Sequence, residues 1–152
     1  MTFLNDKQLI LLLLESNNKE KIHGKSRLTK IIYLINKEME HKERKYSKPL
    51  FDDFNFVLFE PSSQKLDKKI KELIENNLII KGENIEKNQL YKEKIYSISP
   101  IGEREIENIN NKSTENVRVL VNEVKKCYND MPLSMLNQEV THEVPLFCDI
   151  LH

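Results

Sequence analysis

Apolar positions recur along the chain at helical spacing in some segments and alternate in others. Leu9, Ile10, Leu13 and Leu14 follow the polar pair Asn5-Asp6, either of which can cap a helix, and predict a first helix over 6–16. Ser16-Asn17-Asn18 reads as its terminating turn. A second helix begins after Gly24 and carries Leu28, Ile31, Ile32, Ile35 and Met39 on one stripe, with Tyr33 and Leu34 off it. A helix apolar on more than one side is packed by several neighbours, so this one is expected to be central. It should end in the charged stretch 41–48, before Pro49.

Residues 54–59 are aromatic and β-branched, which suits either a strand or an extended core segment. Pro61-Ser62-Ser63 offers a serine cap to a helix over 63–76, in which Leu66, Ile70, Leu73 and Ile74 keep the cleanest amphipathic pattern in the chain. Leu78-Ile79-Ile80, a polar tip containing Gly82, and the partly alternating residues 90–98 predict a β-hairpin. Ser99-Pro100 then starts a helix with Ile101, Ile106 and Ile109, since proline is tolerated in a first turn. A further helix runs from Thr114 to Tyr128, and Leu133, Leu136 and Val140 suggest a last short one. The expected class is α+β, mostly helical. The order helix, helix, short strand, helix, strand, turn, strand, helix is that of a winged helix-turn-helix over 1–110, with a helical C-terminal extension over 111–152.

A chain of 152 residues has the size of one domain. Its 24 basic and 24 acidic side chains cancel, which excludes a chain-wide polyanion-binding charge. The cancellation hides a gradient. Residues 1–50 carry 11 basic and 6 acidic groups, 51–100 carry 8 and 9, and 101–152 carry 5 and 9. Any contact with a polyanion must therefore be local. The run 9–14 falls far short of the ~20 apolar residues of a membrane helix, and no cleavable leader is apparent. Cys127 and Cys148 lack metal-type spacing and are expected to be reduced thiols in a cytoplasmic protein.

No catalytic constellation stands out, and an enzyme is not expected. His23, His41, His142 and His152 show no zinc-ligand spacing, and neither a phosphate loop nor a nucleophile elbow occurs. Ser26, Thr29 and Lys30 could form a nucleophile–base group at i, i+3, i+4, but on a helix such residues more often serve as caps and surface. His23 reads as a residue leading into the second helix. No cofactor is implied.

Nucleic-acid binding has firmer support. Gln64 and Lys65 lie in the first turn of helix 63–76, where unpaired N–H groups favour phosphate. Lys68 and Lys71 continue that face and Lys69 lies at its edge; Lys81, Lys87, Lys92 and Lys94 mark the hairpin, and Lys42, Arg44, Lys45 and Lys48 form a third basic run. In a helix-turn-helix such a face contacts duplex DNA, with Gln64 as base reader and the lysines on phosphates. Acidic neighbours Asp67, Glu72, Glu75, Glu83, Glu86 and Glu93, and the lack of arginine on that helix, allow a solvated face instead. Tyr91 and Tyr96 are either core or exposed, with packing favoured. Val117, Leu120, Val121 and Val124 form a stripe that is either core or a homodimer seam, and a two-fold would suit a palindromic site. The alternative function is a protein-interaction module that binds a partner protein and not DNA.

Three segments resemble one family. The helix Gly24-Lys25-Ser26-Arg27-Leu28-Thr29-Lys30-Ile31-Ile32-Tyr33-Leu34, the segment Phe59-Glu60-Pro61-Ser62-Ser63 with its helix closing on Leu78-Ile79, and Tyr96-Ser97-Ile98-Ser99-Pro100-Ile101-Gly102 are similar to small prokaryotic winged-helix proteins of the Panacea/SocA-like antitoxin and adaptor group. The likeness covers about residues 5–110; Asn129-Asp130-Met131-Pro132-Leu133 echoes a further helix of those relatives. Glu60 and Ser62 stand where the relatives have Gly and Tyr. The resemblance implies a regulator, antitoxin or adaptor, with a neighbouring defence or toxin gene as the expected context, and brings no catalytic residues.

Overall fold

The computed structural model describes residues 4–42, 50–84, 93–107, 109 and 112–141. Helix α1 (Asp6–Lys19) opens with a reciprocal cap: Asn5 Oδ1 accepts from the Gln8 amide at 2.7 Å, and Gln8 Oε1 accepts from the Asn5 amide at 3.0 Å. All six aliphatic residues 9–14 are buried, so α1 is enclosed on every side. Six consecutive apolar residues on a helix cover its whole circumference, which makes α1 the innermost element rather than α2 alone. Regular helix ends at Glu15. Ser16 is extended, and Asn17, Asn18 and Lys19 take left-handed φ values of 53°, 58° and 59°.

That turn leads into β1 (Ile22–His23), a strand too short to carry a readable alternation. It pairs with β5 (Glu93–Ile98) at Ile22↔Tyr96 and His23↔Ile95, and β5 pairs on its other side with β4 (Ile79–Asn84). The antiparallel sheet has the order β1-β5-β4. His23 is therefore a strand residue, with Nδ1 3.3 Å from Glu93 on the neighbouring strand. Gly24, at φ 95°, turns the chain into α2 (Lys25–Lys42) while its N–H donates to Lys94 O at 2.7 Å. Only glycine adopts that φ readily. Tyr96 is core, as favoured; Tyr91 lies outside the described residues.

Segment 54–59 contains the strand of one expectation and departs from the core segment of the other. It forms β2 (Asn55–Val57), which folds back on β3 (Glu60–Ser62) through a two-residue turn, with Val57 opposite Glu60. Only Phe54 packs against the core, whereas Phe56, Val57, Leu58 and Phe59 face solvent. Ser63 then caps α3 (Gln64–Glu75) by accepting from the Leu66 amide, and Leu66, Ile70 and Leu73 are buried beneath it. Ser99 caps α4 (Pro100–Glu107) in the same way, accepting from the Gly102 amide at 3.0 Å. At Gly102 a Cβ would lie 2.4 Å from Leu78 O and 2.9 Å from Ile98 Cγ1. Backbone approach there excludes any side chain.

Helices α5 (Lys112–Tyr128) and α6 (Leu133–Thr141) are part of the same core, and the apolar cluster runs unbroken from Leu4 to Val140. The boundary expected at 110 is not a break in packing. Val117, Leu120, Val121 and Val124 are all buried within the chain as α5 packs along α1 and α2. This corrects the dimer seam: a stripe already covered by its own core has no surface left for a second copy. Cys127 is disulfide-bonded, counter to the expected reduced thiol, and Cys148 lies outside the described residues.

Burial of α1 leaves the carbonyls at its C-terminal end without water. Lys125 of α5 supplies donors there, its Nζ lying 3.1 Å from Leu14 O and 2.8 Å from Ser16 O. Asn122 accepts from the Asn17 amide at 2.8 Å, and Ser16 Oγ donates to Leu12 O at 2.6 Å. Desolvation pulls the Lys125 ammonium down to about 8, with Glu20 and Glu15 opposing the shift. Neither carboxylate outweighs burial.

Two outcomes follow. Gly102→Ala should cost about 3 kcal/mol in a urea titration, at the upper end of overpacking because the obstacle is backbone. Between pH 8 and 9.5 the folded chain gives up the Lys125 proton while the unfolded chain keeps it. Stability from this group must therefore rise with pH, by up to ~1.4 kcal/mol per unit. Lys125→Met should remove that rise, which urea midpoints across the window will read.

Candidate interaction surface

Helix α3 turns Gln64, Lys65, Lys68 and Lys71 outward, with Lys69 half-buried at the edge. Lys81 is exposed on β4; Lys87 and Lys92 lie outside the described residues, as do Arg44, Lys45 and Lys48. So part of the expected face exists, and some of its charge is locally matched. Lys65 Nζ is 2.5 Å from Asp52, Lys69 is 3.3 Å from Glu72 and 4.0 Å from Asp6, and Asp67 holds Lys25 at 3.0 Å. Lys94 pairs across the strands with Glu83. Among the described residues Lys68 and Lys71 have no ion-pair partner.

The N-terminus of α3 is occupied as well. Asp53 accepts from Ser63 Oγ at 2.5 Å through one oxygen and from the Lys65 amide at 3.0 Å through the other. Desolvation alone would raise the Asp53 carboxyl, but these two hydrogen bonds, with one from its own backbone and the charge of Lys65, hold it below the usual range. A hydrogen bond and the charge of Lys65 lower Asp52 and raise Lys65 in return. A helix N-terminus attracts an anion because its first amides are unpaired and its dipole is positive. Here the chain's own carboxylate fills that position. The phosphate contact expected at the first turn is thus already made internally, a fact hidden in the sequence because Asp53 lies ten residues before the cap.

The loop that brings in Asp52 and Asp53 continues into the β2–β3 hairpin. Its tip residues Leu58 and Phe59 are 88% and 89% exposed and sit at φ 52° and 68°. Two positive φ values across a two-residue loop define the type I′ turn, which normally draws Asn-Gly. Bulky side chains in the left-handed region cost ~1–2 kcal/mol each. Below the tip, Phe56 packs edge-on against Tyr33 at 5.5 Å, and Tyr33 meets Phe54 at 5.4 Å. Glu60, the first residue after the turn, is 2.9 Å from Lys30 Nζ, which also donates to Ser26 Oγ at 2.8 Å.

Lys30 is only 2% exposed, which corrects its expected place on the surface. An ammonium offers three donors and no acceptor. Bound between Ser26 and Glu60, it clips β3 to α2 instead of drawing a proton from the serine. Sequence reasoning missed Phe56, Val57, Leu58, Phe59 and Glu60 as surface features. The available signal was Pro61, since proline within an apolar run points to an edge strand.

Elsewhere, a cleft of about 360 Å³ lies at the end of α1, lined by residues including Glu15, Asn17, Lys19, Arg118 and Asn122. Its charges are matched at 2.8 Å (Lys19–Glu103) and 3.7 Å (Arg118–Glu15). Among the described residues no three His, Cys, Asp or Glu side chains gather as metal ligands, and no helix is long and apolar enough to cross a membrane.

Replacing Leu58 with Asn and Phe59 with Gly should raise stability by about 1 kcal/mol, because it relieves backbone strain at exposed positions. Thermal unfolding of the double variant checks this; a lower melting temperature would show that the tip packs on its own chain. No family model matches the chain, and no curated protein or solved structure is found to be similar to it.

Proposed function

We propose that the chain is a winged helix-turn-helix domain working as a protein-interaction module, of the antitoxin or adaptor kind that its sequence resembles. The connectivity α1-β1-α2-β2-β3-α3-β4-β5, with β1 completing the β4–β5 pair, supports the frame. One observation carries the choice of partner: Asp53 and Asp52 fill and neutralise the α3 N-terminus, while the adjoining hairpin exposes an apolar tip. The start of a DNA-docking helix enters a groove lined by phosphates, which two carboxylates at that start disfavour. Contiguous exposed apolar side chains are instead a mark of protein contact.

A second reading keeps duplex DNA as the partner, favoured by the exposed and unmatched Lys68 and Lys71 on one face of α3. Binding to pooled duplex fragments between about 50 and 200 mM salt separates the two, since phosphate contacts make affinity fall steeply across that range. The interaction module should show no sequence-selective complex at either concentration. A selective, salt-sensitive complex abolished by Lys65→Glu with Lys68→Glu would overturn it in favour of a DNA-binding regulator.

A further inference from the structure

The β2–β3 hairpin holds the largest concentration of exposed apolar side chains among the described residues: Phe56 and Val57 are 48% and 53% exposed, beside the nearly bare Leu58 and Phe59. Its shape is set from two sides. The Phe56–Tyr33–Phe54 edge contacts buttress one strand, and the Lys30–Glu60 pair clips the other to α2. The turn keeps two bulky residues at left-handed φ, although nothing among the described residues encloses them. Held strain at an exposed, rigidly supported tip is a sign of function at that tip.

We propose that Leu58 and Phe59 are anchor residues that insert into an apolar pocket, rimmed by basic side chains, on a protein other than this one. This rests on the interaction-module reading and names the partner of that same surface. Charge selects a protein over an anionic membrane or nucleic acid. The hairpin and the loop before it, residues 50–62, carry the carboxylates Asp52, Asp53 and Glu60 and no cation; Asp52 and Glu60 are well exposed, the first paired with Lys65 of α3 and the second with the buried Lys30 of α2. Carboxylates so placed repel phosphates and favour Lys or Arg across the contact.

Area selects a different protein over a second copy. The four side chains expose on the order of 500 Å². Two such tips pressed together cover only one side of each, roughly 500 Å² in total, which is the size of a packing contact. A pocket encloses both sides of the knob and adds its own wall, roughly 1,000 Å² in all, the floor for a specific interface. Rigid presentation helps further, because little side-chain or loop freedom is lost on insertion.

The test places a photo-cross-linking phenylalanine analogue at position 59, or separately at exposed position 119 on α5, in the full chain within its native cells. Adducts are identified by mass spectrometry, and any captured protein is purified and titrated against the wild type, Leu58→Ser, Phe59→Ser and Asp52→Asn. The expected result is one protein captured from position 59. Its affinity should fall at least tenfold with either serine, and Asp52→Asn should reduce the salt dependence of binding. Adducts only with another copy of the chain, with lipid or with nucleic acid would overturn the proposal, as would affinity indifferent to both serines. Capture from position 119 alone would remove the tip as anchor yet leave the interaction module standing. Capture from neither position would remove both.

Discussion

Enclosure of α1 is the constraint on which the rest of the structure depends. Residues 9–14 point in every direction around the helix axis, so α3, α4, α5 and β5 must all pack against it to remove them from water. At about 25 cal/mol per Å² of apolar surface, no arrangement that left one side of this helix open could compete. The same enclosure strips solvent from the carbonyls where α1 ends. Lys125 answers that need from α5, which ties the C-terminal helices to the core by an obligatory polar contact as well as by apolar packing.

Two buried lysines thus work as fasteners in different ways. Lys125 satisfies backbone carbonyls and is held neutral more readily than a surface lysine, because carbonyl dipoles replace only part of its lost hydration. Lys30 meets a carboxylate and a hydroxyl and fixes the stem of a hairpin whose tip carries strain. Replacing Lys125 leaves two buried carbonyls without a donor, and replacing Lys30 unclips β3 from α2. Both positions therefore resist change for reasons of structure, without any chemistry at the ammonium itself.

Loop 50–54 decides how the outer face of α3 behaves. By delivering Asp53 to the helix start and Asp52 to Lys65, it converts a terminus suited to an anion into one already satisfied. The same loop carries Phe51 and Phe54 inward, edge to face at 6.4 Å, and so launches β2 outward. Neutralised helix start and protruding apolar tip are two results of one path of the chain. Together they weigh for a protein surface and against a phosphate backbone in the proposed function.

Local chemistry was legible where a single residue type settles a local need. Asn5, Ser63 and Ser99 mark helix starts because their side chains accept from amides two or three residues on, and the spacing of Leu66, Ile70 and Leu73 settles which side of α3 is buried. Those interactions span fewer than five residues, so the sequence by itself determined them. Strand β1, the burial of Lys30 and Lys125, the covering of the α5 stripe and the exposure of residues 56–59 were decided only in three dimensions. Each depends on packing between elements distant in sequence, such as Tyr96 for Ile22 or Leu14 for Lys125. Periodicity reports which residues share a side of an element; which side meets water is settled by what else packs there.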